Sequence, residues 1–377
     1  MKKTRKVQSM KRKLGVLMSC FMVAAAALSG CQSGSQSGSQ TSESKAPEKK
    51  EINLLAWGGI SDEGIQKLEE LTGYKINYTS FSTLEEMQSK CMSKSMQYDV
   101  AMSSDYIIEA LTAQNKLEEI DTTKLSNYGD IKKGYLSPSY DPDNKWSVPY
   151  SGGGIGILVN RDVIKDKITS YADLWNPAFS DQIVFRDDTR IALSIGNLVN
   201  GNDFNASDKD QIKAAGEKIT ELLPNIHAFA NSGYKLLLNG EANILVTSSA
   251  DAYKAAKELG NWEYINPSEG THMWMDSYVI PKGANMDAAY AYINAVISNE
   301  YLTRKGDETN WGYGYTNGKV EEKALASGIS QDLMNISYPS DAVYAKAHYM
   351  SNIGDAALNY DEVWTEVKLK AGTKISQ

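Results

Sequence analysis

The chain has 377 residues, 23% of them charged, a formal net charge of −8 at pH 7 and three cysteines. That length can bury two hydrophobic cores, and the acidic balance argues against a chain that holds nucleic acid or anionic lipid headgroups by bulk charge. The three histidines, His227, His272 and His348, have no metal-like spacing, and there is no Gly-x-Ser-x-Gly elbow, His-Glu-x-x-His pair or Walker loop. No metal, cofactor or catalytic residue is therefore expected.

Lys2, Lys3, Arg5, Lys6, Lys11, Arg12 and Lys13 form a basic head, and an apolar run from Leu14 to Leu28 follows. The run is shorter than the about 20 residues needed to span a bilayer, so residues 1–30 read as a secretory signal peptide. Leu28-Ser29-Gly30-Cys31 is similar to the lipobox of bacterial lipoproteins, in which the cysteine is acylated. Residues 31–50 then form a Gly/Ser/Gln-rich and charged tether with no apolar periodicity. Loss of the signal peptide removes seven positive charges and leaves 32 basic against 47 acidic residues, about −15, which attracts cations at long range. Cys20 goes with the signal peptide and Cys31 is lipidated. Cys91 is left alone, and no disulfide forms within the mature chain.

Strand and helix patterns alternate from residue 51 onward. Ile52 to Trp57 reads as a buried strand. Ser61 caps a helix in which Ile65, Leu68 and Leu71 share a face, and Gly73 stops it. Lys75–Thr79 and Tyr98–Met102 read as strands. Gly152-Gly153-Gly154-Ile155-Gly156 leads into Ile157-Leu158-Val159 and lacks a following Lys-Ser/Thr, so it reads as a glycine-rich strand crossing between domains and not as a phosphate cradle. Ser207 starts a helix with Ile212, Ala215, Ile219 and Leu222 on one side and Asp210 in the capping-box position. Asn243–Thr247 and Tyr278–Ile280 read as strands, and Met286–Ile297 as a helix. The alternation predicts an α/β fold with largely parallel sheets.

Six loops at expected strand ends repeat one chemistry. They hold Trp57; Ser103-Ser104-Asp105-Tyr106; Asp187-Asp188; Ser248-Ser249-Ala250-Asp251; Trp274-Met275-Asp276; and Trp311-Gly312-Tyr313-Gly314-Tyr315. Ligands in open α/β sheets bind beyond the carboxyl ends of strands. Aromatic faces attract an ammonium through the ring quadrupole, and a carboxylate offers it a charge-assisted hydrogen bond.

Several segments carry a resemblance to the spermidine/putrescine-binding proteins of polyamine ABC importers. They are Ile52–Trp57, Tyr98–Tyr106, Asp141–Tyr150, Ser170–Pro177, Pro267–Gly270 with Trp274–Ser277, and Leu369–Gly372. The resemblance implies a two-lobed periplasmic-binding-protein fold (type II-like) with the ligand in the cleft. By similarity, lobe one holds residues 51–149 and 276–315, and lobe two 150–275 and 316–377. Trp57, Ser104, Tyr106, Asp188, Trp274, Asp276 and Tyr313 match positions lining the polyamine cleft. Asp251 matches one where some members place an amine-binding carboxylate. A monomeric receptor is implied, lipid-anchored on the extracytoplasmic side of the bacterial membrane, with a small cationic solute and ABC permease subunits as partners.

The departures from that pattern concern cargo. Ile191 stands where the family often has a cargo-contacting glutamate, Ser248 where an aromatic often stacks, Met350 where a glutamine lies, and Gly58-Gly59 replace polar residues. A shorter ligand such as putrescine, or an amine with an apolar portion against Ile191, is therefore expected. The alternatives are a receptor of the same fold for a solute such as an amino-acid derivative, a surface glycoside hydrolase using paired carboxylates, and a structural or signalling surface protein. Cys31→Ala is expected to release the protein from membranes without changing ligand binding. A fractionation assay reads this, and equal membrane retention by the variant would refute the anchor.

Overall fold

The computed structural model describes residues 50–93 and 96–372. The signal peptide, Cys31 and all but the last residue of the tether lie outside the described residues. The first elements follow the expected local chemistry. β1 (Glu51–Trp57) leads to α1 (Asp62–Thr72), whose Ser61 cap is extended and accepts the Gly64 N–H, while Gly73 closes the helix at φ 70°. β2 (Lys75–Phe81), α2 (Leu84–Met92), β3 (Val100–Ser103) and α3 (Asp105–Ala113) complete a βαβα run in which β1 pairs in parallel with both β2 and β3.

After a long irregular excursion the chain enters β4 (Val148–Asn160), a 13-residue strand that contains the glycine run. A second α/β layer follows, made of β5 (Ile183–Arg186), α4 (Thr189–Val199), α5 (Lys209–Leu222), β6 (Ile226–Ala230), α6 (Tyr234–Leu238), β7 (Ile244–Ser248), α7 (Ser249–Glu258) and β8 (Trp262–Ile265). The chain then recrosses along β9 (Met273–Val279) into α8 (Met286–Val296), α9 (Asn299–Glu308), β10 (Gly314–Tyr315) and α10 (Gly318–Ala326). It closes with α11 (Gln331–Ser337), α12 (Asp341–Tyr344) and α13 (Ala356–Ala371). α10 packs against α9, and α13 against α4 and α5.

The strand order is β2-β1-β3-β9-β4-β7-β5-β6, with β8 and β10 also paired to β4. β4 is thus common to both lobes. Its first half, through Gly154, pairs with β9 and β10, and its second half, from Ile155, pairs with β7 and β8. The crossing strand read from the glycine run is present. The sheet is mixed, however, not largely parallel, because every pairing made by β4 and β9 is antiparallel. β9 runs against both of its neighbours, β3 and β4, and β4 runs against β7, so the reversals fall on the strands that carry the chain between the two halves of the sheet. The α5 cap also differs: Asp208, not Ser207, accepts the N–H groups of Asp210 and Gln211, and a carboxylate complements the helix N-terminus better than a hydroxyl.

Separate apolar cores sit behind the two halves of the sheet. Leu54, Val100, Tyr292 and Ile293 belong to one; Ile157, Phe185, Ile219 and Trp364 to the other. The join at β10 tolerates no side chain at residue 314. A Cβ there would come within 2.4 Å of the Gly152 carbonyl oxygen and 2.6 Å of the Ser337 carbonyl oxygen. Gly314→Ala is accordingly expected to cost about 1–3 kcal/mol of stability. Gly129→Ala, which faces open space, should stay within about 0.5 kcal/mol. Denaturant titrations of both variants check this, and equal midpoints would show that the contact is not limiting.

Candidate functional site

The parallel strands of both lobes end on one cleft of ≈700 Å³. Trp57, Ser104, Asp105, Tyr106, Asp188, Asp251, Trp274, Asp276 and Tyr313 all line it, as do the divergent positions Gly58, Gly59, Ile191, Ser248 and Met350. Ala250 and Tyr315 from the same loops line it too, but Trp311 and Asp187 do not. Trp311 is buried at φ 65°, with its ring over Gly306. Asp187 turns away to accept from the Trp364 indole at 3.3 Å and Lys368 at 3.4 Å.

Three of the cleft aspartates sit at helix N-termini. Asp105 opens α3, Asp188 caps α4, and Asp251 lies in the first turn of α7 behind its Ser248 cap. Each has a partner within the protein. Asp105 accepts from the backbone N–H groups of Tyr106 and Met350, both at 2.9 Å. Burial pushes its carboxyl up to about 7 against the pull of those bonds. Asp188 accepts from the Ile191 N–H at 3.0 Å. Asp251 accepts from the Lys254 ammonium at 3.0 Å.

Asp276 differs in origin and environment. The sequence reading places it in a loop before a strand, but it lies within β9, which begins at Met273. Opposite its neighbours Met275 and Trp274, β4 carries Gly152 and Gly153. A Cβ on Gly153 would meet the Ser249 hydroxyl at 2.2 Å and the Trp274 ring at 2.7 Å. The glycine run therefore makes room for Trp274 to lie against β4. The Trp57 indole N–H donates to one Asp276 oxygen at 3.1 Å. Burial pushes the carboxyl up to about 6, opposed by that one bond, and among the described residues no cation supports it.

Aromatic rings surround this carboxylate. Trp274 and Tyr313 have centroids 5.3 Å apart, Tyr313 and Tyr315 5.6 Å, Tyr315 and Tyr150 5.5 Å, and Tyr150 and Tyr278 5.3 Å. Tyr315 belongs to the sixth of the sequence-read loops, whereas Tyr150, Tyr278 and Tyr301 carry no such signal. They come from distant elements, and no local pattern brings them together. Ser104 donates to the Met275 carbonyl at 3.0 Å, and Tyr106 to Glu85 at 3.0 Å. Cations also reach the wall, namely Arg186, Lys254 and Lys305. The Lys254 partnership has a sequence signal, since Asp251 and Lys254 are three apart on one helix.

Residues 95–326 match the family of bacterial extracellular solute-binding proteins. The spermidine/putrescine-binding periplasmic protein of Salmonella typhimurium is 31% identical over 337 residues, covering 88% of this chain and 94% of the relative. Spermidine/putrescine-binding periplasmic protein 1 of Haemophilus influenzae is 28% identical over 366 residues, covering 95% and 99%. The crystal structure of a spermidine/putrescine ABC transporter substrate-binding protein from Streptococcus pneumoniae superposes with a TM-score of 0.73 at 25% identity, covering 86% of this chain and 100% of that one.

The raised carboxyl of Asp276 has a thermodynamic consequence in the empty protein. A carboxyl raised by folding contributes stability that is complete below the ordinary aspartate range and is lost as the pH rises through about 6. Asp276→Asn is therefore expected to raise the melting temperature of the ligand-free protein at about pH 7.5, with the advantage closing toward about pH 4. Calorimetric scans at both pH values check this, and an offset independent of pH would mean that Asp276 carries no desolvated charge.

Proposed function

The chain belongs to the bacterial extracellular solute-binding proteins, and on that premise we propose that it captures a small amine, putrescine or spermidine, and delivers it to an ABC permease without chemical change. Cys31 anchors it to the extracytoplasmic side of the membrane in this reading. The names of the curated relatives support the cargo class.

One observation carries the proposal. Asp276 is a carboxylate in the cleft with a neutral indole donor and, among the described residues, no protein cation, ringed by Trp57, Trp274 and Tyr313. A bound ammonium supplies the missing countercharge and lies against electron-rich ring faces. Trp57, Ser104, Tyr106, Trp274 and Tyr313 shape that subsite in this reading, while Asp105, Asp188 and Asp251 hold the helix N-termini around it. A glycosidase needs two carboxylates free for acid–base work, and the partners of those three aspartates count against that alternative. Arg186, Lys254 and Lys305 on the wall favour a second reading, a solute with one amine and a carboxylate.

Asp276→Asn is expected to cost about 2–5 kcal/mol of amine binding, as for truncation of one partner of a buried charge pair. Glu119→Gln removes one negative charge from an exposed position away from the cleft and should change little. Calorimetric titration of parent and variants with putrescine, spermidine and an amino acid decides the matter. Equal losses in both variants would exclude Asp276 from the site, and binding of the amino acid alone would favour the second reading.

A further inference from the structure

We propose that Lys254 is a specificity-determining residue, its own ammonium filling a second cation subsite of the cleft at Asp251 and so disfavouring a ligand that brings a second ammonium there. The inference rests on the amine-receptor reading and adds which amines the cleft accepts.

Asp251 is 9% exposed in its side chain, and the Lys254 Nζ lies 3.0 Å from its Oδ1. The same ammonium lies 5.5 Å from the centroid of the Tyr234 ring, contributed by α6. Carboxylate and aromatic face together are the pair that suits an alkylammonium. At Asp276 such a pair is open, and at Asp251 the protein occupies it. Lys254 lines the cleft and is 56% exposed in its side chain, so its ammonium stands where a ligand can meet it.

An entering ammonium has two ways to reach Asp251. It can displace Lys254, which re-pairs from the same helix at an effective concentration on the order of millimolar, above that of a dilute solute. Alternatively it can sit beside Lys254, and like charges at close range oppose this. Arg186, whose Nη1 donates to the Asn231 carbonyl at 3.0 Å, adds another positive charge to the same cleft. Putrescine and spermidine bind through one ammonium at Asp276, and an amine with a single ammonium and an uncharged or hydrogen-bond-accepting distal end binds more tightly than either.

The test is calorimetric titration of the soluble protein with N-acetylputrescine, putrescine and spermidine. The proteins are the parent, Lys254→Met, Lys254→Arg and Lys257→Met. Lys257 lies on the same helix, with its Nζ 2.7 Å from Asn310 Oδ1 and outside the cleft lining, so it controls for bulk charge. Lys254→Met is expected to tighten putrescine and spermidine by about five-fold and to leave N-acetylputrescine within about two-fold. Lys254→Arg keeps the parent order of preference, and Lys257→Met affects all three ligands alike. Equal tightening of all three by Lys254→Met, or of none, overturns the proposal. If the parent binds none of the three amines, the amine reading itself falls and takes this inference with it.

Discussion

A strand shared by two sheets constrains everything around it. β4 satisfies its hydrogen bonds in one lobe up to Gly154 and in the other from Ile155, so the lobes meet along a continuous backbone. Its flanks must also admit large rings. Trp274 crowds Gly153, Tyr264 crowds Gly156, and Tyr135 comes close to Gly152. Glycine at those places leaves the ladder intact while aromatic bulk comes close, which is a recurrent use of glycine inside strands. The cleft is thus built on extended chain, with its rings packed against the strand backbone.

Charge in the cleft follows from where each carboxylate is rooted. A helix N-terminus presents unpaired N–H groups and partial positive charge, and an aspartate placed there has partners from the start. Asp105 and Asp188 take backbone N–H groups in this way, and Asp251 takes a lysine one turn further along. Asp276 is rooted in a strand, where the ladder uses the backbone donors, and among the described residues it receives the Trp57 indole alone. The same residue type therefore does two jobs: three aspartates secure the scaffold, and the fourth has no protein cation among the described residues.

Local chemistry in the chain was legible. The Ser61 cap, the Gly73 stop, the buried β1 and the crossing character of the glycine run all depend on neighbours a few residues apart. The nine residues singled out for the site also line one cleft, because the parallel strands carry most of them at their carboxyl ends. What escaped was set by distant partners. The direction of β4 depends on strands far away in sequence. Asp276 hid in a strand because Trp274, Met275 and Asp276 alternate between cleft and core, with Met275 fully buried between two partly exposed neighbours. The tyrosine wall draws on β4, β9 and β10 at once.

The bond between Asp105 and residue 350 has a further consequence. Asp105 takes hold of the Met350 backbone N–H, and Glu109 takes that of Asn352 at 2.8 Å. An amide N–H is present whatever side chain a residue bears, proline excepted. The attachment of α3 to the segment leading into α13 is therefore indifferent to the identity of residue 350, although that side chain faces the cleft. A change of side chain at position 350 alters the cleft wall while the clasp beneath it stays unchanged.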